Sequence, residues 1–241
     1  MTDNNTKQKN ALVTGATSGI GRAIALRLLA DGYFVYGIGR SEAAAIEDPH
    51  FAMLRVDLRD TDSVVAAVKP IASDLSLLVN AAGVAYYGPH DTIAPDAIAE
   101  MVSVNVTAPM VLSSLLLPAL RACEGTILNV SSVTARRGNN THGCAYGATK
   151  AAMTNFSESL FEECRKHGVR IITLHPDLTD TNLYRNADFA PREEPDFRLT
   201  ADEVADCAMQ ALSARSGMVM TDITVRPQRN GIRRKGKDDG Q

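Results

Sequence analysis

Apolar residues along the chain fall into two alternating patterns. Short runs, ending at Leu12–Val13 and then spanning Tyr33–Ile38, Phe51–Val56, Leu75–Asn80, Gly125–Ser131, Val169–Leu174 and Met218–Val225, read as buried strands. Between them, Ile20–Leu29, Thr61–Ala72, Pro95–Leu120, Cys144–Lys166 and Ala201–Ala214 repeat their apolar residues at helical spacing, as Ala148, Ala152, Phe156, Leu160 and Phe161 do. Strand alternating with helix seven times predicts a parallel sheet covered on both faces. Right-handed crossovers make it a doubly wound α/β fold, a seven-stranded parallel sheet with ligands at the carboxyl ends of its strands. Residues 184–199, with Pro191, Glu193, Glu194 and Pro195, break the pattern and read as a loop or small lid over a pocket. Residues 229–241 are locally basic and read as a flexible, solvated tail.

Composition narrows this picture. A chain of 241 residues that is 45% hydrophobic can close one large core, so 1–241 is expected to be a single domain. A net charge of −3 gives no reason to expect nucleic acid or a membrane surface as partner. The first ten residues are polar with no apolar signal region, and the apolar run around Leu115–Leu117 is bounded by Ser113, Ser114 and Pro118, so no transmembrane span is expected. Cys123, Cys144, Cys164 and Cys207 are scattered, as expected of reduced thiols in a cytoplasmic protein. His142 and His175 lack a third ligand at metal spacing, so no metal site is expected.

The stretch Asn10–Gly21, NALVTGATSGIG, runs from strand through a glycine turn into a helix. That arrangement points backbone N–H groups at a phosphate, and Gly15, Gly19 and Gly21 permit the backbone angles and close approach it requires. Farther along, Tyr146 and Lys150 lie one helical turn apart on one face. An ammonium beside a phenol favours phenolate, so this pair is expected to lower the tyrosine pKa towards neutrality and fit it to exchange a proton with an alcohol oxygen. Ser132 ends a strand and places a hydroxyl at the carboxyl edge of the sheet, where it can hold a carbonyl oxygen. Asn105 sits inside a predicted helix, where asparagine is a poor helix former; a buried amide there holds a water or backbone against the lysine, and the alternative is an exposed helix residue.

These motifs, in this order, resemble the classical short-chain dehydrogenase/reductase family over roughly Lys9 to Val225. TGATSGIG, with Gly15, Thr17, Ser18, Gly19, Ile20 and Gly21, matches its cofactor motif; Asp57 matches its adenine-contacting acid, with Leu58 beside it; Asn80-Ala81-Ala82-Gly83 matches its structural turn. Asn105, Ser132, Tyr146 and Lys150 match the family's catalytic tetrad. The resemblance implies a Rossmann-like domain in which hydride moves between a nicotinamide and a ketone, aldehyde or secondary alcohol. Tyr146 would be general acid or base; Lys150 would lower its pKa and hold the nicotinamide ribose; Ser132 would orient the substrate oxygen, and Asn105 would support a proton-relay water. It also implies a homodimer or homotetramer built through the helices at Pro95–Leu120 and Cys144–Lys166. The chain departs from the family at His175-Pro176-Asp177, where Pro-Gly is usual, and at Ala81, where a second asparagine is usual. The resemblance also makes Asn80, Ala81, Gly83, Tyr146, Lys150, Pro176, Asp177, Thr179 and Thr181 candidate cofactor contacts.

The second strand ends Gly39-Arg40-Ser41 with nothing acidic at the ribose position. Arg40, with Ser41, is expected to bind a 2′-phosphate and so to favour NADP (NADPH); Glu42 is a competing charge, and the alternative is a solvated loop arginine. Tyr86, Tyr87, His142, Cys144 and Tyr184 are expected to rim the substrate pocket; Arg136 and Arg137 either meet a substrate anion or face solvent. Two other readings stay open: a nucleotide-sugar epimerase or dehydratase, and a non-catalytic dinucleotide-binding or structural subunit.

Overall fold

The computed structural model describes residues 8–40 and 46–236. In chain order its elements are β1 (Asn10–Thr14), α1 (Gly19–Ala30), β2 (Phe34–Gly39), β3 (Phe51–Arg55), α2 (Thr61–Val68), β4 (Leu75–Asn80), α3 (Pro95–Val102), α4 (Ala108–Ala122), β5 (Thr126–Val130), α5 (Cys144–Cys164), β6 (Arg170–Pro176), β7 (Phe189–Pro191), α6 (Ala201–Leu212), β8 (Asp222–Val225) and β9 (Ile232–Arg234). Seven strands form one parallel sheet in the order β3-β2-β1-β4-β5-β6-β8. The chain winds outward through β2 and β3, then returns to start again at β4, so the direction reverses between β1 and β4. Loops diverge there at the carboxyl ends, which opens a crevice.

Alternation along each strand explains why both faces are covered. Ala11 and Val13 of β1 join Leu77, Val79, Leu128 and Ile172 on the face covered by α1 and α6. Leu12 joins Ile38, Leu78, Ile127 and Ile171 on the opposite face, under Leu112, Leu116 and Leu120 of α4 and Leu160 of α5. The continuous helical span Pro95–Ala122 is long and apolar enough to cross a membrane, with a mean hydropathy of 1.5 in its most apolar window. That apolarity is explained by the α4 leucines that pack on the sheet.

Two readings change. The span expected as one helix from Pro95 to Leu120 is interrupted at Ser103–Thr107 by a π turn centred on Asn105, whose amide makes non-helical contacts described below. The expected flexible tail is structured over its described part, and residues 237–241 lie outside the described residues. β9 pairs antiparallel with β7, with Phe189 opposite Arg234 and Pro191 opposite Ile232. Lys235 Nζ donates to the carbonyls of Tyr184 at 2.6 Å and Arg185 at 3.4 Å, and Arg229 N donates to Asp196 O at 2.7 Å. The segment 184–199 is therefore two short 3-10 turns around β7, fastened by the strand that follows it in sequence by some forty residues.

Candidate active site

The crevice is a cleft of about 880 Å³. At one end the backbone turns through Gly15 and enters α1 at Gly19, which has φ +53°. Ser18, at the N-cap of α1, makes no side-chain cap, so the first N–H groups of the helix face the cleft without a side-chain acceptor. A Cβ on Gly21 would lie 2.5 Å from Gly15 O and 2.9 Å from Thr14 O; only glycine lets the helix approach the strand so closely. Opposite this turn, Thr14 Oγ1 accepts from the N–H groups of Ala81 (3.0 Å) and Ala82 (3.1 Å). The β4 turn is thus held by Thr14, a residue not singled out in the sequence, and the alanine at position 81 costs it no main-chain contact.

Gly15, Thr17, Ser18, Gly19, Ile20, Gly21, Arg40, Asp57, Leu58, Ala81 and Gly83, the expected cofactor contacts, all line the cleft. Pro176, Asp177, Thr179 and Thr181 line it from the far side, where Thr181 Cγ2 closes to 3.2 Å from the position of a Cβ on Gly19. Ser41 and Glu42 lie outside the described residues. Asn80 needs correcting: it does not reach the cleft, but donates Nδ2 to Asn129 Oδ1 at 2.8 Å, and Asn129 in turn donates to Ser157 Oγ. It ties three buried elements together. Asp57 lines the cleft, yet its carboxylate is held by the Arg59 guanidinium (2.6 Å), which lowers its pKa below the usual carboxylate range.

At the other end Ser132, at the end of β5, meets Tyr146 and Lys150 on α5. All three are buried. Burial raises the Tyr146 phenol above the ordinary tyrosine range, with the Tyr184 phenol adding to the effect and the Ser132 hydroxyl opposing it. Lys150 Nζ donates to Val130 O at 2.8 Å and sits 5.9 Å from the Tyr146 ring centroid; burial pushes its pKa down to about 8. The expected lowering of the Tyr146 pKa is therefore reversed. Loss of water around the phenol dominates, because the phenolate is the charged form that burial disfavours. The Tyr146 phenol therefore holds its proton more tightly than a free tyrosine does.

Asn105 does not line the cleft. Its Oδ1 accepts from Val84 N (2.9 Å), and its Nδ2 donates to Val84 O (2.9 Å) and Thr149 Oγ1 (3.1 Å). It stands behind Gly83, where a Cβ would lie 3.5 Å from Asn105 Oδ1 and 3.6 Å from Lys150 Nζ.

The substrate end has an aromatic wall. The Tyr87 ring lies 5.6 Å from Tyr146, 6.1 Å from Tyr184 and 5.0 Å from Phe189 of β7. Burial raises the Tyr87 and Tyr184 phenols, the latter to about 12. His142 also lines the cleft, whereas Tyr86 donates to Glu100 at 2.5 Å and Cys144 contacts His90 at 3.3 Å outside the lining. Arg136 and Arg137 are paired: Arg136 with Asp222, and Arg137 with Asp177 at 3.2 Å. His175, fully buried, completes a chain behind Ser132, with Nδ1 3.2 Å from Ser132 O and Nε2 3.0 Å from Asp222 Oδ2. That role was hidden in the sequence, because Asp222 lies on the neighbouring strand 47 positions away.

A doubly wound sheet with a glycine cradle at its switch point and a serine, tyrosine and lysine at the opposite end of one cleft defines a dinucleotide-binding protein with oxidoreductase chemistry. The family model for short chain dehydrogenases matches residues 9–190, and the chain belongs to that family. It is 30% identical over 231 residues to an uncharacterized oxidoreductase of Staphylococcus epidermidis, spanning 92% of this chain and 98% of the relative. It is 35% identical over 181 residues to a serine 3-dehydrogenase of Agrobacterium fabrum, spanning 71% of this chain and 72% of the relative. Among solved structures it is similar to a short chain dehydrogenase from Burkholderia cenocepacia in complex with NADP, with a TM-score of 0.80 and 27% identity over 92% of this chain and 98% of that one.

Proposed function

We propose that this oxidoreductase reduces a ketone or aldehyde with NADPH, Tyr146 serving as the general acid. The observation that carries the reading is the neutral, buried Tyr146 phenol beside Ser132 and Lys150, in the same cleft as the α1 cradle and Arg40. The cleft fits a nicotinamide dinucleotide. The uncapped N-terminus of α1 offers N–H groups to a diphosphate, and Gly21 lets helix and strand close up beneath it. Arg40 is exposed at the cofactor end of the cleft, where a guanidinium suits a 2′-phosphate, and the NADP complex of the Burkholderia relative supports that choice. Bound there, the dinucleotide supplies the hydride.

The chain's own residues do the rest. Ser132 Oγ holds the substrate carbonyl oxygen in line with Tyr146 Oη. Tyr146 passes its proton to that oxygen as negative charge develops on it, and Lys150, an ammonium below about pH 8, stabilises the phenolate left behind. The aromatic wall of Tyr87, Tyr184 and Phe189 excludes water from the reacting carbon. The substrate is a small molecule. The groove between α3 and α5, lined by Ile98, Met101, Val102 and Ala152 among others, is the surface through which a second copy would pack.

Tyr146→Phe is expected to keep NADPH binding and to cut kcat by about 100-fold or more against a panel of carbonyl compounds. Unchanged turnover refutes the acid assignment. Arg40→Ala is expected to weaken NADPH binding while leaving NADH binding within about twofold, measured by nicotinamide fluorescence; equal weakening of both refutes the phosphate contact.

A further inference from the structure

The cover over the substrate end is built from two distant stretches, and its inner face has its own chemistry. In the β7–β9 pair, side chains of directly opposed residues share a face. Phe189, opposite Arg234, points inward against Tyr87 and Tyr184. Arg234 and, two residues earlier, Ile232 therefore share that inner face, and both line the cleft. Arg233 points the other way, towards Glu193 at 3.6 Å. Ile232 is 54% exposed, an unusual position for a large apolar side chain on a short, well-fastened strand.

The charges at this end do not cancel. Arg137 is neutralised by Asp177. Arg185 and Arg234 line the cleft, and among the described residues neither forms a salt bridge with a carboxylate. Asp188 also lines this end, its main-chain carbonyl accepting from Lys235 N, so two guanidinium groups stand here against one carboxylate. Next to Tyr146 lies the aromatic wall, and across from its Phe189 stands Arg234, with Ile232 two residues away on the same face. A molecule matching that order has a carbonyl at one end, a hydrophobic or ring-shaped middle, and an anion at the other.

We propose that Ile232 and Arg234 make this site selective for carbonyl compounds carrying a carboxylate or phosphate at the end remote from the carbonyl, with Arg234 as the specificity-determining cation. The inference rests on the carbonyl-reductase reading for its orientation, but its charge preference can be measured without turnover. Arg185 supports the same selection from the other rim, and Lys235 fixes the register of β9 by binding the carbonyls of Tyr184 and Arg185.

The test compares three probes that share one aryl ketone: 4-acetylbenzoate, 4-acetylphenyl phosphate and methyl 4-acetylbenzoate. Binding is followed by calorimetry on the full chain with NADPH present, and turnover by NADPH absorbance. At least one anionic probe is expected to bind about 10-fold or more tightly than the neutral ester, and whichever binds better identifies carboxylate or phosphate as the preferred group. Arg234→Ala is expected to reduce that anion-to-ester ratio about 10-fold, and Arg234→Glu to invert it. Arg233→Ala, on the outer face of the same strand, is expected to leave the ratio unchanged. No charge discrimination in the wild type, or a ratio that Arg233→Ala lowers as much as Arg234→Ala does, overturns the inference. Charge-selective binding without turnover of any probe upholds it and counts against the reductase reading instead.

Discussion

Removing the Asn105 side chain separates two roles for that residue. Asn105→Ala leaves both main-chain groups of Val84 without their side-chain partner, and Val84 is only 7% exposed. Each orphaned buried group costs about 1–3 kcal/mol, so the pair costs roughly 2–6 kcal/mol. Folded domains retain only about 5–15 kcal/mol in total. For a chain of this size each kcal/mol moves Tm by about 2–4 °C, so Tm is expected to fall by at least about 4 °C. Asn105→Asp keeps an acceptor for Val84 N but sets a second acceptor against Val84 O, and is expected to be destabilised as well. Thermal and urea unfolding, run beside steady-state kinetics, read both quantities. An Asn105→Ala variant that unfolds within about 2 °C of wild type, yet has lost turnover, refutes the pinning of Val84 and leaves only a role in moving a proton.

Two further outcomes follow from the buried groups behind the cleft. Lys150 has a folded pKa near 8 against 10.5 when exposed, so folding disfavours its charge, and the penalty is complete below pH 8 and disappears as pH rises towards 10.5. Wild type is therefore expected to gain up to about 3 kcal/mol relative to Lys150→Met between pH 7.5 and 10, by urea unfolding at each pH, whereas a pH-independent difference contradicts the burial argument. Asp222→Ala removes the partner of the fully buried His175 and is expected to cost about 1–3 kcal/mol and slow turnover through a displaced Ser132; a variant as stable and active as wild type shows that the chain from Asp222 to Ser132 carries no load.

Much of this was legible in the residues because the sheet is built from local patterns. Strand runs such as Leu75–Asn80, the helix Cys144–Lys166 and the order of the glycine turn, Ser132, Tyr146 and Lys150 each depend on near neighbours or on a repeated period. What was not legible depends on pairs distant in the chain. Asn80 reads as a cofactor contact in the sequence, but its partner is Asn129; Arg136 and Arg137 read as facing a substrate anion or solvent, but their partners are Asp222 and Asp177. The direction of the Tyr146 shift was misjudged because spacing shows a neighbouring charge but not how much water both groups lose. The basic composition of residues 229–236 concealed a strand, since Ile232-Arg233-Arg234 has no alternation long enough to read and gains its structure only from β7.

The pairing of β9 with β7 also sets an order of events during synthesis. The glycine cradle, the parallel strands up to β6 and the tyrosine helix are all made before residue 189, and chains fold from their first-made parts. The β7–β9 pair cannot form until residue 234 has been made, after α6 and β8. Phe189 thus meets its ring partners Tyr87 and Tyr184 from the part of the chain made before it, and its strand partner Arg234 from the part made last.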